Sequence, residues 1–353
     1  MICPSGEGAI FPNLRVRGRG GVAGDKVLVT GASGFVGSAV VKALLAADYS
    51  VRVFLRRTSP RINLANLDVE IAEGDMCDAV SVAQAVAGTK FLFHLAADYR
   101  LWTRRPEELI QTNREGTRNV MKAALDAGLE RVVYTSSVAT LALPVCGSPA
   151  DETMRHTETT AIGAYKRSKV AAERVVEEMI ANERLPAVIV HPSTPIGPRD
   201  VKPTPTGRII VETALGHVPG YVDSGLNLVH VDDVAEGHIA ALRRGKTGEH
   251  YILGGQNVPL ATMLSEIACL SDRKPPRVRL PRPLLYPFAL VSEAAAHITG
   301  REPFLTVDGL RMSKHRMFFS SAKAERDLGY SARPYGEALA EAVSWFREHG
   351  YVR

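Results

Sequence analysis

The chain has 353 residues, 45 % of them apolar and 23 % charged, with 43 Lys and Arg against 38 Asp and Glu. That length admits two domains or one large α/β domain carrying a smaller lobe, and the composition excludes a disordered, collagen-like or coiled-coil chain. A net charge of +5 is too mild over this length to point to nucleic acid without a basic patch, but it suits an anionic ligand such as a cofactor phosphate.

Residues 1–25 are rich in Gly and Arg (Arg15, Arg17, Arg19) and lack the apolar core of a signal peptide. They read as a disordered extension or the product of an upstream start codon. Cys3, Cys77, Cys146 and Cys269 form no C-x-x-C pair, so zinc and thioredoxin-type chemistry are not indicated. A reducing cytosol is the expected compartment, and no apolar run is long enough for a transmembrane helix.

From Lys26 onward, short β-branched runs alternate with helical stretches. Strands are predicted at Lys26–Thr30, Val51–Leu55, Val69–Ala72, Phe91–Leu95, Arg131–Thr135 and Ala187–His191. Helices are predicted after the first strand to about Ala47, and at Ala79–Val86, Pro106–Ala127 and Ala164–Asn182. This alternation argues for βαβ units and a Rossmann-like, doubly wound parallel sheet covered on both faces. Beyond Pro192 prolines cluster and the rhythm breaks. Residues 26–192 are therefore expected to form the dinucleotide-binding domain, and 193–353 a smaller substrate lobe with segments returning to the sheet.

Gly31, Gly34 and Gly37 lie in TGASGFVG, between the first strand and first helix. One glycine allows the tight turn, one lets a pyrophosphate approach the backbone, and one allows close helix–strand packing. Ser33, Phe35 and Val36 complete the turn, whose helix N-terminus offers free N–H groups to phosphate. An NAD site wants a carboxylate after the second strand and an NADP site an Arg. Arg56 and Arg57 stand there, which favours NADP(H); two solvated arginines with NAD(H) are the alternative. Tyr165 and Lys169 form Y-x-x-x-K on a predicted helix, so i and i+4 share one face. A cation beside the phenol favours its ionised form and equips it for acid–base work.

The G-x-x-G-x-x-G spacing resembles the extended short-chain dehydrogenase/reductases. That resemblance implies a Ser137 that binds the substrate oxygen, with Ser136 as the neighbouring alternative, and a Lys169 that also holds the nicotinamide ribose. It implies an adenine-side turn at Asp75 and Met76, a cofactor-lining turn at Leu95, Ala96 and Ala97, and further cofactor contacts at Pro192 and Thr194. Asn113 matches a helix Asn that supports the active-site backbone or a relay water. The superfamily's dehydratases place an acidic pair beyond the active-site residue, and its 3,5-epimerising reductases a Cys. Here Val138, Ala139 and Thr140 follow Ser137, which leaves hydride transfer at a carbinol carbon.

HLAADYRLW, PSTPIGPRDVKPTPTGRIIV, GLNLVHVDDVA and KHRMFFSSAKAERDLGY resemble the hopanoid-associated sugar epimerase family, also described as dihydroflavonol-4-reductase-like. This implies a cytoplasmic enzyme of hopanoid (isoprenoid) metabolism acting on a sugar, nucleotide sugar or hopanoid side chain, and a homodimer paired through helices 106–127 and 164–182. Two departures favour a reductase-like pocket: Thr194 replaces the Asn of nucleotide-sugar epimerases, and Leu226–Asn227 replaces their Arg–Asp pair. Arg199, Arg208 and Arg316 are replacement clamps or surface charges. Tyr99, Arg100 and Trp102 follow the fourth strand where the substrate pocket opens. Residues 283–298 read as a pocket lid, a membrane-touching helix or, from Glu293 and His297, an ordinary packed helix. His230, Asp232 and Asp233 read as loop-orienting and capping residues rather than metal ligands; no metal is expected. Three functions compete: an epimerase with no net cofactor turnover, an NADPH-consuming reductase, and a non-catalytic dinucleotide sensor.

Overall fold

The computed structural model describes residues 24–98, 100, 102–144, 147–300, 303 and 305–352. Tyr99, Cys3, Cys146 and all but the last two residues of the expected extension over 1–25 lie outside the described residues. The first part of the chain runs β1 (Lys26–Thr30), α1 (Phe35–Ala46), β2 (Ser50–Leu55), β3 (Glu70–Glu73), α2 (Ala79–Val86), β4 (Phe91–His94), α3 (Pro106–Asp126), β5 (Arg131–Thr135), α4 (Ala164–Glu183) and β6 (Ala187–Pro192). It continues with β7 (Thr194–Ile196), α5 (Pro205–Ala214), β8 (Gly220–Tyr221), β9 (Gly225–His230), α6 (Val231–Arg244), β10 (His250–Leu253) and β11 (Gln256–Pro259). The last elements are α7 (Leu260–Leu270), β12 (Val278–Arg279), α8 (Arg282–Thr299), α9 (Val307–Met312), α10 (Ala322–Leu328) and α11 (Tyr335–Glu348).

Seven strands form one parallel sheet in the order β3-β2-β1-β4-β5-β6-β10. Alternation along each strand feeds two cores. Val29, Phe93, Val133 and Val190 pack toward α1 and α6, while Leu28, Leu92, Val132 and Ile189 pack toward α2, α3 and α4. The predicted third strand is displaced by one residue, to Glu70–Glu73. It is an edge strand with little buried surface, so apolar alternation does not define its ends. β10, from the C-terminal half, supplies the seventh strand. A third core of Ile210, Leu228, Met263, Leu339 and Phe346 lies beneath the three-stranded sheet β11-β9-β7.

Chain order reverses between β1 and β4, so the loops after these strands diverge and open a crevice at their carboxyl ends, the usual dinucleotide position in such sheets. The segments after β1 through β6 carry most of the residues singled out above, with Asn113 on α3 and Tyr165 and Lys169 on α4.

Candidate active site

Gly31 has φ +71°, and a Cβ there would stand 2.6 Å from Ala96 N and 2.8 Å from Leu95 C. A Cβ on Gly37 would stand 2.1 Å from Gly31 O. Only glycine allows these approaches, which draw the β1 turn onto the β4 turn. Gly34 precedes α1 with no side-chain cap, so the first-turn N–H groups remain available to an anion. Ser33, Phe35 and Val36 sit partly buried around that opening. The cradle fits a dinucleotide pyrophosphate.

A buried strap fixes the second wall. The Thr30 hydroxyl accepts from Ala96 N at 3.2 Å and bonds His94 Nδ1 at 2.8 Å, and His94 Nε2 lies 3.2 Å from the Thr117 hydroxyl. Burial, with the Lys169 charge adding to it, pushes His94 down to about 3, so the imidazole is a neutral tie between β1, β4 and α3. Leu95 and Ala97 are partly buried beside it. Arg56 and Arg57 are exposed after β2. The Arg56 charge reaches Asp98 and Cys77, so it faces the turn where Asp75 accepts from Cys77 N at 2.9 Å. Met76 rests against Gly116 of α3. Pro192 is buried at the end of β6, and Thr194 opens β7, partly exposed.

Ser137 follows β5, partly exposed, and its hydroxyl accepts from Ala139 N at 3.1 Å. It also hydrogen-bonds Tyr165. Ser136 is buried, and its hydroxyl donates to the Glu173 carboxylate. The two neighbouring serines are thus divided: one faces Tyr165, the other turns inward. Lys169 is buried one helical turn beyond Tyr165. Its Nζ donates to Thr135 O at 2.9 Å and lies 5.5 Å from the centroid of the Tyr134 ring. Desolvation lowers Lys169 to about 8, and Glu173 works in the opposite direction. Tyr165 differs from the sequence expectation of a lowered phenol. Burial pushes it up and the Ser137 hydrogen bond pulls it back, because the ammonium is turned to the end of β5.

Asn113 is buried on α3. Its Oδ1 accepts from Asp98 N at 2.7 Å, and its Nδ2 donates to Asp98 O at 2.9 Å and to Ser168 Oγ at 3.0 Å. It holds the loop after β4 against α4 beside Tyr165. Arg100 is exposed and bound to Asp98 by Nε–carboxylate bonds of 3.0 and 3.1 Å. Trp102 makes an edge contact with His297 of α8 at 5.3 Å. Arg199 is paired with Asp232, and its carbonyl accepts from Asn63 at 3.1 Å. Asp232 lies on α6 and Asn63 between β2 and β3. Arg316 pairs with Asp223 at 3.4 Å, and Arg208 is exposed on α5. His230 caps α6 by accepting from Asp232 N at 3.0 Å, and Asp233 receives Arg333 at 2.8 Å.

Several residues were missed in the sequence. Glu173 continues the face of Tyr165 and Lys169 by one more turn, so an i, i+4, i+8 stripe was its available signal. With His191 and His250 it is, among the described residues, a group offering three metal donors. Their donor atoms all lie within 4.8 Å of one another and are linked in a row that continues to Glu177. His191 Nδ1 lies 3.8 Å from Glu173, His191 Nε2 lies 2.9 Å from His250 Nδ1, and His250 Nε2 lies 3.3 Å from Glu177. A separate cleft of about 1020 Å³ opens between α3, the turn before α4 and α9, lined by Gln111, Arg114, Gly163 and Asp308. Its lining flanks Tyr165 without including Ser137 or Lys169.

A family model described as the NAD dependent epimerase/dehydratase family matches residues 27–254. A Synechocystis sp. protein named "Putative dihydroflavonol 4-reductase" is 42% identical over 334 residues, covering 93% of this chain and 96% of its own. "Sterol demethylase protein B" of Methylococcus capsulatus is 31% identical over 331 residues, covering 92% and 99%. The crystal structure of gox2253 superposes with a TM-score of 0.85 at 52% identity, over 93% of this chain and 100% of that one.

Proposed function

The chain belongs to the NAD dependent epimerase/dehydratase family and is an NAD(P)-dependent epimerase or reductase of the extended short-chain dehydrogenase/reductase type; from this premise we propose that it is an NADP(H)-linked oxidoreductase interconverting a ketone and a secondary alcohol on an isoprenoid-derived substrate of the hopanoid class. The observation that carries the reading is the hydrogen bond between Ser137 and Tyr165, formed beside the buried Lys169 at the strand end facing the glycine turn.

When bound, the dinucleotide supplies or accepts the hydride. Gly31, Gly34 and Gly37 would hold its pyrophosphate, Asp75 and Met76 its adenine side, and Leu95, Ala96, Ala97, Pro192 and Thr194 its nicotinamide side. Ser137 donates a hydrogen bond to the substrate oxygen. Tyr165 gives its phenolic proton to that oxygen in the reducing direction and takes it back in the oxidising one. Lys169 stabilises the phenolate left after reduction. Asn113 fixes the loop after β4, which borders the substrate.

The surroundings support an uncharged substrate over a nucleotide sugar. Asn227, at the position where a diphosphate-clamping Arg–Asp pair is expected in sugar-nucleotide enzymes, is fully buried. Its amide is spent on Asn257 at 2.7 Å and on the carbonyls of Gly255 and Phe319, each at 3.2 Å. Arg199 and Arg316 are held by Asp232 and Asp223. Two relatives' names support a polycyclic substrate: "Putative dihydroflavonol 4-reductase", which is also named a reductase, and "Sterol demethylase protein B". The second reading, sugar epimerisation, draws on the epimerase half of the family description; it differs in consuming no NADPH.

Nicotinamide fluorescence tests the cofactor assignment. NADPH is expected to bind more tightly than NADH, and Arg56→Ala with Arg57→Ala to weaken NADPH at least about tenfold, the value of losing a charge-assisted phosphate contact. Equal affinities that ignore the double substitution overturn the NADP(H) assignment.

A further inference from the structure

The helix α8 is built inside out. Its inner edge is mostly small or polar beyond the half-buried Leu285 and Tyr286: Ala289 and Ala296 are buried, and Ser292 and Glu293 accept from the backbone N–H of Leu305 and Val307. Its outer edge carries Leu284, Phe288, Val291 and Ile298, exposed by 65, 68, 70 and 83 %. These positions follow the i, i+4, i+7 spacing of one helical face. A water-soluble helix of the expected packed kind buries such residues, and contiguous apolar surface left in solvent marks a contact site.

The chain ahead of α8 is the second observation. Arg273, Lys274, Arg277, Arg279 and Arg282 occupy the segment between Asp272 and Glu293, which holds no acidic residue. Lys274, Arg277 and Arg279 are exposed, and Asp223 is the acid placed against Arg279. Cations next to a helix N-terminus oppose its dipole, so local helix stability does not explain them. A cationic margin beside an uncharged apolar face is the pattern of a helix lying in an anionic bilayer surface. No helix among the described residues is long and apolar enough to cross a membrane.

We propose that α8 and the basic segment before it dock the protein onto an anionic lipid surface, with Phe288 and Val291 entering the acyl boundary and Lys274 and Arg277 meeting the headgroups. The docked helix is tied to the candidate site. Trp102 contacts His297, and Arg104 donates to the carbonyls of His297 and Ile298 at 2.6 and 3.1 Å. The loop after β4 therefore sits next to the bilayer, where a lipid-like substrate is delivered. Docking itself does not depend on the reaction assigned above.

Vesicle co-sedimentation of the full chain tests this, with vesicles of phosphatidylglycerol mixed with phosphatidylcholine and of phosphatidylcholine alone. Binding is expected to favour the anionic vesicles. Phe288→Ser with Val291→Ser should abolish it, and Lys274→Glu with Arg277→Glu should lower it about fivefold or more for each basic residue lost. Val291→Trp should raise binding, which keeps the test open if a polar variant misfolds. Because the altered side chains are exposed, thermal melting of the variants should match the wild type. Sedimentation with neither vesicle, or binding indifferent to Phe288 and Val291, overturns the proposal. So does a dimer in light scattering that the same serine variants dissociate, since it assigns the face to a second copy of the chain.

Discussion

Lowering the pH from about 7.5 to about 5.5 should destabilise this protein, and its three most strongly shifted buried imidazoles together with Asp200 contribute about 3 kcal/mol of that loss. His94, His191 and His238 are each held neutral by desolvation, His94 down to about 3 and the other two down to about 4. In the unfolded chain they titrate at the ordinary histidine value of about 6.5. Below that value the unfolded state binds more protons than the folded one, so stability falls as pH falls, through the folded pKa values. Over this interval each imidazole contributes about 1.4 kcal/mol, or about 4 kcal/mol for the three. Asp200 opposes them. Burial raises it to about 6, so the folded state gains protons as pH falls, and this returns about 0.8 kcal/mol. Urea unfolding at the two pH values, followed by circular dichroism, measures the difference. His238→Gln, which removes an imidazole bonded to Thr135 at 2.9 Å and Val234 at 2.7 Å, should shrink the pH-dependent loss by about 1.4 kcal/mol. A stability that is flat or rises toward pH 5.5 refutes the reasoning.

Gly31→Ala places a Cβ within 2.6 Å of Ala96 N at φ +71°; NADPH affinity measured by fluorescence should fall more than about tenfold, with backbone strain of about 1–3 kcal/mol lowering the urea midpoint as well. Asn113→Ala strips the partners of Asp98 N and Asp98 O. It should cost about 1–3 kcal/mol in unfolding free energy and raise KM more than it lowers kcat. Glu173→Gln removes the charge that raises Lys169 against desolvation. The basic limb of the pH–rate profile, governed by loss of the ammonium, should move to lower pH, whereas a purely structural role for Glu173 would leave the limb in place.

The parallel sheet was legible because both of its faces are covered, so β1, β4, β5 and β6 read as continuous apolar runs between helical stretches. The glycine turn and the Tyr165–Lys169 spacing were legible for a related reason: backbone approach and helical repeat are local constraints written into adjacent residues. The burial that raises Tyr165 and the turning of Lys169 toward Thr135 were not. Both depend on how α4 meets the end of β5, a contact between residues 34 positions apart. The row from Glu173 through His191 to His250 was hidden similarly, since β10 joins the sheet from beyond α6. For α8 the apolar content was plain, but its face was not. Glu293 and His297 suggest an ordinary packed helix, yet Glu293 is drawn inward by Val307 N while Leu284, Phe288, Val291 and Ile298 stay outside.

Transfer of deuterium from 4-deuterated NADPH to a panel of polycyclic ketones, measured by mass spectrometry for wild type and Tyr165→Phe, tests whether Tyr165 is the proton donor in an NADPH-dependent ketone reduction. Deuterium is expected at the carbinol carbon with the wild type, and loss of transfer in Tyr165→Phe with NADPH binding unchanged. Undiminished transfer by Tyr165→Phe, or no NADPH binding by the wild type, would contradict that assignment.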